Sequence, residues 1–156
     1  MGNIWLKIKM AFIYLWGMIT GRGKSPNFEK FEIGSSDVQA LVKFAYPEAT
    51  VSLADYRYKY VTLKDWRKIL GDCCSSNAPY DAEFHDCDDF ADYLKGHVSN
   101  DFGINTCLRA SGRDVSGCAH AFNIIVYQDG QTPRLAIVEP QTGEIGCKYA
   151  VSAVRG

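Results

Sequence analysis

Three observations predict an α+β domain with amino-terminal helices packed on a carboxy-terminal antiparallel sheet. Apolar residues recur at helical spacing in several stretches before residue 96, β-branched and aromatic runs take over past residue 115, and a polar, Gly-containing turn divides the second region into a hairpin. The 156 residues, 47% of them hydrophobic and 13% aromatic, are enough for one domain. A chain of this length buries about two-thirds of its unfolded surface on folding, so it needs no disulfide framework or structural metal.

Residues 4–20 read as a separate amphipathic helix, with Ile4, Ile8, Phe12, Leu15 and Ile19 at three- and four-residue steps and Gly21 to Pro26 ending it. Its 17 residues include two lysines and fall short of the roughly 20 apolar residues that span a bilayer. Basic residues ahead of an apolar run resemble a signal peptide, but Gly21-Arg22-Gly23 offers no small-x-small cleavage site. Leu6 stands where a myristoylation signal places Ser or Thr. The segment therefore reads as a helix that docks on a protein partner or on the domain, or as an interfacial membrane anchor. Gly21 to Ser36 reads as a linker, which divides the chain into an attachment part, 1–36, and a globular part, 37–156.

Val38 to Ala45 is a short helix stopped by Pro47. Tyr56, Tyr58 and Tyr60 alternate along one face of an edge strand or groove wall, with core packing expected. Thr62 and Asp65 open a helix over Trp66 to Leu70 as a cap and its acidic partner, with Gly71 as the stop. Asp86 to Gly96 forms another helix, with Phe90, Tyr93 and Leu94 on one face and acids in the first turn. Ala121 to Tyr127 and Arg134 to Glu139 are the hairpin strands around Gln128 to Gln131, and Tyr149 to Val151 adds a short third strand.

Charge excludes one class of function. With 17 Lys+Arg against 18 Asp+Glu, the chain lacks the basic balance of a protein that grips nucleic acid. The balance is uneven: residues 1–30 carry a formal +4, leaving −5 for the rest, and residues 81–92 hold Asp81, Glu83, Asp86, Asp88, Asp89 and Asp92 with no Lys or Arg.

Six cysteines and three histidines need a role. No C-x-x-C pair occurs, which leaves zinc without ligand spacing. Three disulfides are not needed at this size, so free thiols in a reducing compartment are expected. A catalytic thiol needs a histidine to take its proton and a third group to orient that histidine. Cys87 begins a helix, where the dipole and free amides favour a thiolate. His120 precedes one hairpin strand and Glu139 ends the other, so the two are expected to be neighbours. Asp86, Asp88 and Asp89 oppose a thiolate at Cys87; they are expected to cap the helix, pair with Arg109 or Arg113, or bind a hard cation such as calcium. His85 is an alternative base and His97 serves the helix end; Cys107 and Cys118 read as bystanders, and Cys73-Cys74 lies in a loop.

The runs Phe84-His85-Asp86-Cys87-Asp88-Asp89-Phe90-Ala91, Ala119-His120-Ala121-Phe122-Asn123 and Val138-Glu139-Pro140-Gln141-Thr142-Gly143 resemble the Cys, His and Glu motifs of a papain-like group that includes the protease domain of the Marasmius oreades agglutinin and small bacterial and phage proteins. The resemblance covers about residues 50–147. It implies a papain-like fold and a thiol-dependent amide hydrolase acting on a peptide or protein, with Cys87 as nucleophile, His120 as base and Glu139 orienting it. It needs no cofactor, and the calcium dependence of the agglutinin domain implies a cation site near Asp86, Asp88 and Asp89. The sequence departs from the group at Cys118-Ala119, where Gly is expected beside the histidine, and no Gln is placed for an oxyanion hole, to which the Cys87 backbone N–H would contribute one donor. The alternative is a non-catalytic structural or interaction module, such as a phage virion component, that keeps the papain-like fold.

Overall fold

The computed structural model describes residues 26–74 and 79–156. The helix expected over residues 4–20 lies outside them. In chain order the elements are β1 (Phe31–Gly34), α1 (Ser35–Ala45), β2 (Thr50–Ser52), β3 (Arg57–Thr62), α2 (Leu63–Cys74), α3 (Cys87–Phe102), β4 (Cys107–Arg113), β5 (Ala119–Asp129), β6 (Thr132–Val138) and β7 (Ala150–Arg155). No helix of the described residues is long and apolar enough to cross a membrane.

The α+β class is observed, but the segregation of helices from strands is not. The sheet runs β1-β3-β5-β4-β7-β2, with β6 also on β5. Three of its strands precede the α2–α3 pair in sequence, and β3 on β5 and β2 on β7 are parallel pairs within an otherwise antiparallel sheet. Residues 31–34, placed in the linker by their composition, form β1 against β3, and Phe28 is buried against Phe102. Tyr56 is exposed while Tyr58 and Tyr60 are buried, because β3 lies between β1 and β5 rather than at an edge. The third strand begins at residue 150 and pairs with β4 and β2, not with the hairpin.

β5 organises the core. Residues 121–126 are all buried, as in a strand covered on both faces. Ile125 packs with Trp66, Ile69, Leu70, Leu94 and Val98 of α2 and α3, while Phe122 and Ile124 pack with Val38 and Val42 of α1. Alternation along the strand therefore places α2 and α3 on one face and α1 on the other. The Trp66 indole N–H donates to the Val126 carbonyl at 2.8 Å, which pins α2 across the sheet.

The stop predicted at Gly71 and the helix end predicted at Gly96 are both overrun. Gly71 sits inside α2, which continues to Cys74, and Gly96 sits inside α3, which ends at Gly103 with φ 60°. The apolar stripe decides this: Val98 and Phe102 continue the face begun by Phe90 and Leu94, so burying them outweighs the cost of about 1 kcal/mol for one helical glycine. Cys73 and Cys74 are accordingly helical rather than in a loop.

Candidate active site

Cys87 is the first residue of α3, and the turn before it is tightly specified. Asp86 is the helix cap: its carboxylate accepts from the Asp88 amide at 3.1 Å, while Asp89 reaches back to accept from the Asp86 amide at 3.3 Å, completing a capping box. Arg109 of β4 pairs with Asp92 at 3.1 Å and Asp88 at 3.6 Å. The hydrogen bond between the Asp86 and Asp88 side chains holds the Asp86 carboxyl below its ordinary range and raises that of Asp88. Asp86, Asp88 and Asp89 place ligand oxygens within 4.8 Å of one another. Backbone amides and Arg109 engage these carboxylates, as the expected capping and pairing require.

The sulfur of Cys87 meets β5 at its start: the Ala121 amide donates to Sγ at 3.4 Å, so the thiol lies against the backbone next to His120. His120 Nε2 lies 2.8 Å from Glu139 Oε2, with the two side chains 15% and 13% exposed. A carboxylate can only accept, so the imidazole proton of that bond sits on Nε2 and the Nδ1 lone pair is left to receive one. The hairpin register brings this about, because Asn123 opposes Val138 and the strand ends beyond that pair carry the two side chains.

Glu139 is held from three directions. It accepts from His120, from the Tyr149 hydroxyl at 2.9 Å and from the Gln141 amide at 3.2 Å. Its loop closes through Gly143, whose amide donates to the Glu139 carbonyl at 2.8 Å. Gly143 has φ 75°, and an added Cβ would stand 3.4 Å from Cys74 Sγ and Leu70 Cβ, so the α2 end packs directly under the loop. Burial, then the bond to Glu139, keeps the Tyr149 phenol protonated well above its usual range, which makes it a donor.

Two further residues were missed in the sequence. Tyr149 stands edge-on to His120 with ring centroids 5.0 Å apart; the only available signal was its place beside a short apolar run. Asn123 is fully buried and donates to the Ala91 carbonyl at 3.0 Å, tying the helix of Cys87 to the strand of His120. A polar residue inside the run Phe122 to Val126 was the signal for it. His85 packs its ring on Phe90 at 4.3 Å, and His97 pairs with Asp101 at 3.0 Å within α3. All six cysteines are free thiols; Cys107 is buried and Cys118 exposed. A groove of about 630 Å³ borders the Glu139 loop, between Leu63, Arg67, Leu135 and Cys147, and its lining contains none of Cys87, His120 or Glu139.

No protein-family model matches the chain, and no curated protein matches it. Solved structures do, and two of them illustrate the match. One is a PSL1a complex with E64, at 25% identity and a TM-score of 0.66, covering 80% of this chain and 51% of that one. The other is the Polyporus squamosus lectin bound to the human-type influenza-binding epitope Neu5Acα2-6Galβ1-4GlcNAc, at 25% identity and a TM-score of 0.64, covering 80% and 49%. The chain thus spans about half the length of the structures it matches.

These matches correct the family expectation. The structural neighbours carry a lectin's name, so the papain-like protease resemblance drawn from the three motifs is set aside. The amide hydrolase acting on peptides and the phage-virion alternative go with it. The motifs are short and local, whereas the match spans four-fifths of the chain.

Proposed function

We propose that Cys87, His120 and Glu139 form a nucleophilic thiol site that handles an acyl group as a thioester. One observation carries this reading: the sulfur of Cys87 accepts the amide next to a histidine whose Nε2 is committed to a carboxylate. His120 Nδ1 takes the proton from Sγ, and Sγ bonds the carbonyl carbon of an ester or thioester donor. The bond to the leaving group breaks as the imidazolium returns its proton to that group. An acceptor nucleophile then attacks the thioester and gives its proton to His120, and as the C–S bond breaks the sulfur leaves and takes that proton back as the thiol. The Cys87 amide, at the positive end of α3, would stabilise the oxyanion.

The test uses E64, the compound in the PSL1a structure, on the full chain. Peptide mass spectrometry is expected to find its adduct on Cys87, with none in Cys87→Ala and at least about tenfold slower labelling in His120→Ala. Labelling spread evenly over Cys87 and exposed Cys118 would defeat the proposal.

A second reading follows from the lectin bound to a sialylated epitope: a module that binds an acidic glycan. Lys95, Arg109 and Arg155 line a groove of about 430 Å³ with Asp92 and Ser52. Arg109 and Arg155 stand directly opposite each other across β4 and β7. Arg109 is engaged by Asp92 and Asp88, so Arg155 and Lys95 are the cations that would meet a ligand carboxylate. Titration calorimetry with the trisaccharide should give binding that Arg155→Ala weakens; no heat at millimolar ligand removes this reading.

A further inference from the structure

We infer that Tyr149 is a positioning residue for the thiol site, acting on His120 through both its hydroxyl and its ring. The inference rests on the nucleophilic-thiol reading of Cys87, His120 and Glu139. The Tyr149 hydroxyl donates to the same oxygen, Oε2, that accepts from His120 Nε2, so two donors converge on one carboxylate oxygen at 2.9 and 2.8 Å. Its ring meets the imidazole edge-on at 89° and lies 5.0 Å from Phe122. The imidazole is thus fixed by a hydrogen bond at Nε2 and bounded by an aromatic wall, which limits rotation about both of its side-chain torsions.

Titratable groups face this cluster from several elements, among them Cys74 of α2 beside Glu139 and Glu144 of the Glu139 loop beside Cys147. From the Glu139 loop come Glu139 itself and Cys147, whose thiol is raised by burial; from β5 comes His120; from α3 comes Cys87. Asp114, at the turn before β5, is engaged by Ser116 and by the Cys118 amide. Removing the hydroxyl releases its contact with the Cys147 thiol and leaves the charge on Oε2 shared by one donor fewer, so that charge acts more strongly on the imidazolium.

Tyr149→Phe keeps the ring and deletes the donor, whereas Tyr149→Ala deletes both. Alkylation of the full chain by iodoacetamide is followed at Cys87 from pH 5 to 9 by peptide mass spectrometry, with exposed Cys118 as the internal reference. The Phe variant is expected to move the Cys87 pH–rate profile by at least about 0.3 pH unit with Cys118 unchanged. The Ala variant is expected to lower the plateau rate at least about fivefold. A Phe profile that superimposes on the wild type overturns the inference, and it decides the matter even if the Ala variant does not fold. Wild-type Cys87 that alkylates no faster than Cys118 defeats the underlying site instead, so the two failures are distinguishable.

Discussion

Replacing Glu139 with Gln changes the size of the side chain very little and removes its charge and one acceptor. Three donors converge on the carboxylate, two on Oε2 and the Gln141 amide on Oε1. A glutamine has one acceptor oxygen and one amino group, so whichever way it turns, at least one of those donors faces another donor. If the oxygen keeps His120 and Tyr149, each bond falls from the charge-assisted range of about 1.5–3 kcal/mol to the neutral range of about 0.5–1.5 kcal/mol. The Gln141 amide loses its partner as well. The expected cost is about 2–3 kcal/mol, which at about 2–4 °C per kcal/mol lowers the melting midpoint by about 4–12 °C. Thermal melts by circular dichroism at pH 7 measure this directly. In parallel, Cys87 labelling should slow at least about tenfold, because one charge-assisted contact to the imidazolium, about 1.5 kcal/mol, is lost. A Glu139→Gln protein that melts within about 1 °C of wild type and labels at the wild-type rate would refute the orienting role of this carboxylate.

Three further outcomes follow from the geometry. Asn123→Ala should cost about 1–3 kcal/mol by denaturant titration, and Asn123→Asp more, because the aspartate would bury a charge facing the Ala91 carbonyl. The Asp65 carboxyl, which receives a hydrogen bond from Lys68, is held below its ordinary value of 3.8. Its stabilising contribution is therefore present above that pH and lost as the pH falls through the lower folded value, so Asp65→Asn should destabilise at pH 7 and match wild type near pH 2 in urea melts. Burial pushes the thiols of Cys73 and Cys74 up to about 12 and about 11, and that of Cys107 higher still. At pH 8 in the folded protein Cys73 and Cys107 should alkylate at least about a hundredfold more slowly than exposed Cys118, a gap that closes in urea.

Local chemistry made a good part of this molecule legible. The Thr62–Asp65 cap is present, with the Asp65 amide donating to Thr62 Oγ1 at 3.2 Å. The β5–β6 hairpin turns at Asp129 to Thr132, and its register brings His120 and Glu139 to 2.8 Å. Such features depend on a few neighbouring residues whose spacing is written in the chain. The motif resemblance was local in the same way, and structural matches over four-fifths of the chain set it aside.

The rest was settled between distant segments. Gly71 reads as a stop because a glycine is intrinsically unfavourable in a helix, and the next helix reads as ending at Gly96, yet packing of Cys73, Val98 and Phe102 carries both helices on. β4 alternates Leu108 and Ala110 with Arg109 and Ser111, too weak a pattern to stand out, and becomes a central strand only because β5 and β7 flank it. Parallel pairing of β3 with β5 joins residues more than sixty positions apart, which no local turn specifies. Tyr149 reaches Glu139 across a loop of ten residues. By itself the sequence determined the α+β class, the capped helices, the hairpin and the pairing of His120 with Glu139. Only the tertiary structure decided which helix start meets that pair, because the Cys87 sulfur, the Asn123 tie to α3 and the Tyr149 hydroxyl are contacts between segments that chain proximity does not bring together.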